Sequence, residues 1–139
     1  MTSPTINGVI ETALYVDDLQ RATQFYCDVF GLELMSRDER LAAFSVAGRQ
    51  VLLLFKRGAS NEPMTIQGGT IPPHDGTGTT HVGFAVDASS LSEWERRLSE
   101  HHVAIESRVT WARGGISLYF RDPDGHLLEI LTLGVWTIY

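Results

Sequence analysis

Three side chains in this sequence are of types that together bind a divalent metal ion: Glu11, His81 and Glu129. One imidazole and two carboxylates suit Mn, Fe, Ni, Co or Zn, and three protein donors leave coordination positions open for a substrate. Glu129 stands within Leu127-Leu128-Glu129-Ile130-Leu131, a segment otherwise apolar on both faces of a strand. An isolated buried carboxylate is costly, so Glu129 calls for a cation, a proton or contact with water. Each residue also has a plainer reading. A Glu near a strand end is ordinarily solvated, and a lone His is ordinarily satisfied by a polar neighbour. Residue type and spacing leave both readings open.

Other residues carry weaker signals. Trp111 and Tyr119 lie on or near strand-like segments and would cover a ligand, or else serve as core or rim aromatics. Arg113, beside Gly114-Gly115, offers a cation to an anionic substrate group or is a solvated loop residue. His74 sits in a central Gly- and Pro-rich stretch and either closes over a site or is solvated. His101-His102 ends a helical pattern, where imidazole favours the helix dipole, and reads as structural. Cys27, beside Tyr26 with no evident base, reads as a packing residue. Gly68-Gly69 and Gly76–Gly78 are not followed by Lys-Ser/Thr and a helix start, so they form no phosphate loop.

The elements that would position these groups follow from hydrophobic periodicity. Val9–Val16 alternates, with Ile10, Thr12, Leu14 and Val16 on one face and Glu11, Ala13 and Tyr15 on the other. Asp17-Asp18 supplies a helix cap, and Leu19, Ala22, Phe25, Tyr26 and Val29 recur at helical spacing until Gly31. Strands are expected at Leu32–Ser36, Leu41–Val46 and Val51–Phe55. The order then repeats. His81–Val86 alternates, Asp87–Ser90 offers caps, and Leu91, Trp94 and Leu98 mark an amphipathic helix. Strands are expected at Val103–Val109, Ile116–Phe120 and Leu127–Leu131, the last two joined by an Asp122-Pro123-Asp124-Gly125 turn.

Two local matches mark a true internal repeat: Ile10-Glu11 with Thr80-His81, and Leu32–Arg37 with Val103–Arg108. The reading is one α+β domain over 1–139, with repeat one at 6–57, a linker at 58–79, repeat two at 80–133 and a tail at 134–139. Each four-stranded unit with one helix covers only one sheet face, so the bare faces line a half-open, barrel-like cleft. Glu11 and His81 hold equivalent places on those faces, and pseudo-symmetric pairing would bring them together.

Composition sets the class. The chain has 139 residues, 43% hydrophobic and 20% charged, which is enough for a core without disulfides or structural zinc. A single cysteine permits no internal disulfide and fits a reducing, cytoplasmic setting. A net charge of −6 without a Lys/Arg cluster argues against a nucleic-acid partner. The start of the chain lacks a signal-peptide pattern, and no apolar run is long enough for a membrane span.

The segments VIETALYVDDLQRATQFYCDVFGLEL, THVGFAVD and LYFRDPDGHLLEIL resemble the vicinal oxygen chelate superfamily, which includes glyoxalases, extradiol dioxygenases, fosfomycin-resistance thiol transferases and bleomycin-resistance proteins. The resemblance covers nearly the whole chain. It implies a βαβββ repeat fold and a metal site in which Glu11 replaces the more common His, with His81 and Glu129 as the other ligands. It also implies a divalent ion (Zn, Ni, Mn, Fe or Co), with Glu129 or Glu11 doubling as catalytic proton acceptor. A small-molecule substrate would be chelated through adjacent oxygens, and a homodimer would join Glu11 of one chain to His81 and Glu129 of the other. Glyoxalase I-like members add a Glu on the fourth strand, where Val51-Leu52-Leu53-Leu54 offers no donor, so a true lactoylglutathione lyase is not expected. The competing expectation is a metal-free protein that sequesters a drug or metabolite, with Trp94, Trp111 and Trp136 available to stack on it.

Overall fold

A computed structural model describes residues 2–139. The residues cluster as two compact units. One runs up to Thr23 and continues over Gly31–Thr77, and the other combines Gln24–Phe30 with Gly78–Tyr139.

The first unit begins with β1 (Glu11–Val16), and the chain then enters α1 (Leu19–Asp28). It continues through β2 (Glu33–Arg37), β3 (Leu41–Val46) and β4 (Gln50–Lys56). The sheet order is β1-β4-β3-β2, with β1 parallel to β4 and the other pairs antiparallel. Alternation decides the faces: Leu14, Val16, Ala42, Phe44, Leu52 and Leu54 are almost fully buried. Asp18 caps α1 as expected, its Oδ1 accepting the backbone N–H of Arg21 at 3.0 Å. Val9 and Ile10 precede β1 and are largely exposed.

The segment at 58–79 is more than a linker. It folds a small hairpin of β5 (Met64–Ile66) and β6 (Gly69–Ile71), whose turn needs Gly68 at a φ of +107°. Further on, Gly76 lies so close to the Tyr15 ring that a Cβ would approach within 2.5 Å of it.

The second unit repeats the plan with β7 (His81–Ala85), α2 (Leu91–Glu100), β8 (Ser107–Thr110), β9 (Ile116–Arg121) and β10 (Leu127–Leu131). Its sheet order, β7-β10-β9-β8, reproduces the first, again with the parallel pair at one edge. The internal repeat is therefore structural. Both sheets are open.

Three details depart from expectation. Asp87–Ser90 makes no side-chain cap on α2; Ala88–Ser90 forms a short 3₁₀ turn, and Ser90 Oγ bonds back to the Asp87 carbonyl at 2.7 Å. The strand expected from Val103 starts only at Ser107. His102 and Val103 end α2 instead, with Val103 N–H bonding the Leu98 carbonyl and His102 N–H that of Ser99, while Glu106 N–H already reaches the Tyr119 carbonyl of β9. This is a Schellman ending, with His102 rather than glycine in the left-handed region at φ +58°. His101-His102 is thus structural through backbone geometry. Third, the two units divide α1, with Gln24–Phe30 belonging to the second. There the Phe30 ring lies 4.5 Å from Phe84 and 5.8 Å from both Trp94 and Phe120. Arg97 donates to the Val29 and Asp28 carbonyls at 2.6 and 2.8 Å, a cationic cap on the end of the helix.

The tail at 134–139 is folded against the second unit. Gly134 and Trp136 N–H both bond the Tyr139 carbonyl, and the Tyr139 hydroxyl donates to the Val86 carbonyl at 3.3 Å. Gly115 packs on this turn so closely that a Cβ would fall 2.5 Å from the Gly134 carbonyl carbon. Because those atoms are backbone, Gly115→Ala is expected to destabilise the protein by about 1–3 kcal/mol. A denaturant titration with unchanged slope checks it.

Among the described residues, no helix is long and apolar enough to cross a membrane.

Candidate metal centre

His81 opens β7 and Glu129 lies in the middle of β10. The parallel register Leu127↔His81 and Glu129↔Gly83 puts both side chains on the face opposite the core residues Leu128 and Ile130. His81 Nε2 stands 3.2 Å from Glu129 Oε1. The imidazole is half-exposed and the carboxylate buried.

The other imidazole nitrogen decides the tautomer. His81 Nδ1 is 2.8 Å from the Leu127 carbonyl, which can only accept, so Nδ1 carries the proton. In the neutral ring Nε2 then presents its lone pair to a carboxylate oxygen. Two acceptors facing each other at this distance need a cation between them, either a proton or a metal ion. The spacing fits an ion: two adjacent ligand bonds of about 2.1 Å, near a right angle, span about 3 Å.

Further groups surround the carboxylate. Ser117 Oγ donates to Glu129 Oε2 at 2.5 Å, and the Trp111 indole N–H donates to Ser117 Oγ at 2.8 Å. Tyr119 pairs with Glu129 across β9 and β10, and its ring lies 6.3 Å from the His81 ring in stacked orientation. Burial, and then the Glu129 charge, push the Tyr119 phenol above its ordinary value, so it stays a protonated donor. Trp111 is partly exposed. Arg113 is exposed in the tight turn between Trp111 and Gly115, where Gly114 takes a φ of +91°.

Glu11 begins β1 in the first unit and is exposed. Among the described residues, no three His, Cys, Asp or Glu side chains gather as a metal-holding group. The donors brought together within this chain are His81 and Glu129. The registers also relate the two sheets position by position. Glu11↔Val51 and Ala13↔Leu53 in the first sheet correspond to His81↔Leu127 and Gly83↔Glu129 in the second. Leu53 therefore occupies the pseudo-symmetric place of Glu129.

The weaker candidates resolve into packing. His74 Nδ1 is 2.7 Å from the Tyr15 hydroxyl, and its ring meets Phe55 edge-on at 4.5 Å, so this half-buried ring is held in place by packing. Burial raises the Cys27 thiol, with the Asp28 charge adding to it, which disfavours a nucleophilic thiolate.

Two residues escaped the sequence reading. Ser117 shares strand parity with Tyr119, a signal visible in ISLYF once the face of Glu129 is known. His126 is buried, and its Nδ1 accepts the Thr80 backbone N–H at 2.9 Å, fixing the residue before His81.

The two βαβββ units, repeated in one chain with the same strand order, mark a known class. The chain belongs to the Glyoxalase/Bleomycin resistance protein/Dioxygenase superfamily, whose sequence model matches residues 8–130. The chain is 31% identical to the metallothiol transferase FosB of Bacillus licheniformis over 98% of its own length and 82% of that protein. It is 31% identical to the catechol-2,3-dioxygenase of Bacillus subtilis over 84% of its own length and 38% of the dioxygenase. A crystal structure of a lactoylglutathione lyase from Agrobacterium tumefaciens superposes with a TM-score of 0.87 and 35% identity, covering 96% of this chain and 99% of the other.

Proposed function

We propose that this protein is a divalent-metal-dependent enzyme of the glyoxalase/dioxygenase type, acting on a small molecule that chelates through adjacent oxygens. The observation that carries this reading is the His81–Glu129 pair, with Nδ1 committed to the Leu127 carbonyl and Nε2 turned to the carboxylate. Glu11 of a second copy is the third donor, which makes the active form a homodimer. Supporting this, Glu11 is exposed at the head of an edge strand, and no three donors gather among the described residues of one chain.

Imidazole plus carboxylate fits Zn, Ni, Mn, Fe or Co. When bound, the ion polarises the substrate oxygens and stabilises a developing oxyanion or enolate. The protein's own groups divide the remaining work. Tyr119 supplies a neutral O–H donor beside the site, and Glu11 or Glu129 accepts a proton from a carbon acid. The exposed part of Trp111 covers a bound substrate, and Arg113 meets an anionic group on it. Leu53, in the place where a fourth donor would stand, argues against lactoylglutathione lyase activity. Thiol transfer and oxygenation are the first reactions to assay, since the metallothiol transferase and dioxygenase relatives carry those names.

The test is metal content after dialysis against a set of divalent ions, wild type beside His81→Ala. Near-stoichiometric metal in the wild type and none in the variant is the expected result. No metal in either would overturn this reading and leave a metal-free, ligand-sequestering protein.

A further inference from the structure

We infer that Ser117 and Trp111 form a one-way donor relay that reserves a single oxygen of Glu129 for the metal; the inference rests on the metal reading above. The direction of the relay is fixed by chemistry. Indole N–H can only donate and a carboxylate can only accept, so the Ser117 hydroxyl must accept from Trp111 and give its one proton to Glu129 Oε2. Ser117 is fully buried and Glu129 nearly so, so water does not compete for these atoms. The Tyr119 phenol stands beside this Ser117–Glu129 pair and adds a further hydrogen-bonding contact to it.

Two consequences follow for the site. With Oε2 engaged, Oε1 is the oxygen turned to His81 Nε2, so Glu129 ligates through one atom and leaves coordination positions for a chelating substrate. The donated indole N–H also polarises the hydroxyl and strengthens its bond to the carboxylate. Ser117 and Trp111 are thus positioning residues acting through Glu129. Without the Ser117 hydroxyl, Oε2 loses that donor and the carboxylate is held less firmly in its one-oxygen orientation, the Tyr119 contact remaining.

Cobalt(II) is a suitable probe, because its visible spectrum reports coordination number. Metal-stripped wild type, Ser117→Ala, Ser117→Thr and Trp111→Phe would be titrated with cobalt(II) alone. Ser117→Ala is expected to bind about 10–100-fold more weakly, with an altered visible spectrum. Ser117→Thr keeps the hydroxyl and should restore both properties. Trp111→Phe keeps Ser117 and loses only the outer donor, so its loss should be smaller, and it serves if Ser117→Ala does not fold. Wild-type affinity and spectrum in Ser117→Ala or, where that variant does not fold, in Trp111→Phe would overturn the relay while leaving the metal site standing. A wild type that takes no cobalt(II) would overturn the metal reading and the relay together.

Discussion

Refolding an equimolar mixture of Glu11→Ala and His81→Ala chains should recover about one quarter of the wild-type metal sites, although each variant alone recovers none. The fraction follows from random pairing. About half of the dimers are mixed, and in each mixed dimer one of the two sites draws Glu11 from the His81→Ala chain and His81 with Glu129 from the Glu11→Ala chain. The other site of that dimer has lost both residues. The structural basis is the placing of Glu11 at the head of an edge strand, its backbone paired to β4 and its side chain exposed. Metal per chain after dialysis is the measurement. If all three donors came from one chain, mixing would restore nothing, since every chain lacks one ligand.

The second large effect concerns stability. Asp122 is buried and accepts from the Tyr26 hydroxyl at 2.8 Å and the backbone N–H groups of Asp124 and His126 at 3.0 and 2.9 Å. Asp122→Ala leaves these donors unsatisfied, and the Tyr26 hydroxyl is itself fully buried. At about 1–3 kcal/mol for each lost partner, with partial relaxation, a loss of about 3–5 kcal/mol is expected in denaturant unfolding. Asp122→Asn keeps an acceptor and should lose less.

The same site gives a pH dependence. Burial holds the Asp122 carboxyl above its ordinary value, against the lowering effect of the Tyr26 hydroxyl and the backbone donors. The folded state therefore binds this proton more tightly than the unfolded chain. Its contribution to stability is largest below the ordinary carboxylate value and falls as pH rises through the folded one. Asp122→Asn should flatten that part of the stability profile, and an unchanged slope would contradict the assignment.

Much of the fold was legible because it is written in local patterns. Period-two alternation placed β3 and β10 to the residue, and helical spacing with an Asp cap placed α1. The DPDG turn formed as expected, with Gly125 N–H bonding the Asp122 carbonyl at 3.0 Å. The misreadings also have local causes. Val103–Glu106 has strand-like composition, yet a helix ending through His102 and Val103 delays the strand to Ser107. The 58–79 segment is rich in turn residues, which hid a three-residue hairpin whose strands are too short to show alternation.

The sequence by itself determined the repeat and the strand faces, and so the face on which each of Glu11, His81 and Glu129 stands, because side-chain parity and turn chemistry act over a few residues. Only the tertiary structure decided the rest. The pairing of β7 with β10, some 46 residues apart in sequence, sets His81 against Glu129, and the matching pairing of β1 with β4 puts Leu53 in the place that corresponds to Glu129. The register of β9 on β10, together with the side-chain rotamers, brings Ser117 to one oxygen of Glu129 and leaves the other to His81. Such contacts depend on which distant strands lie side by side and in what register, and no short stretch of sequence carries that information.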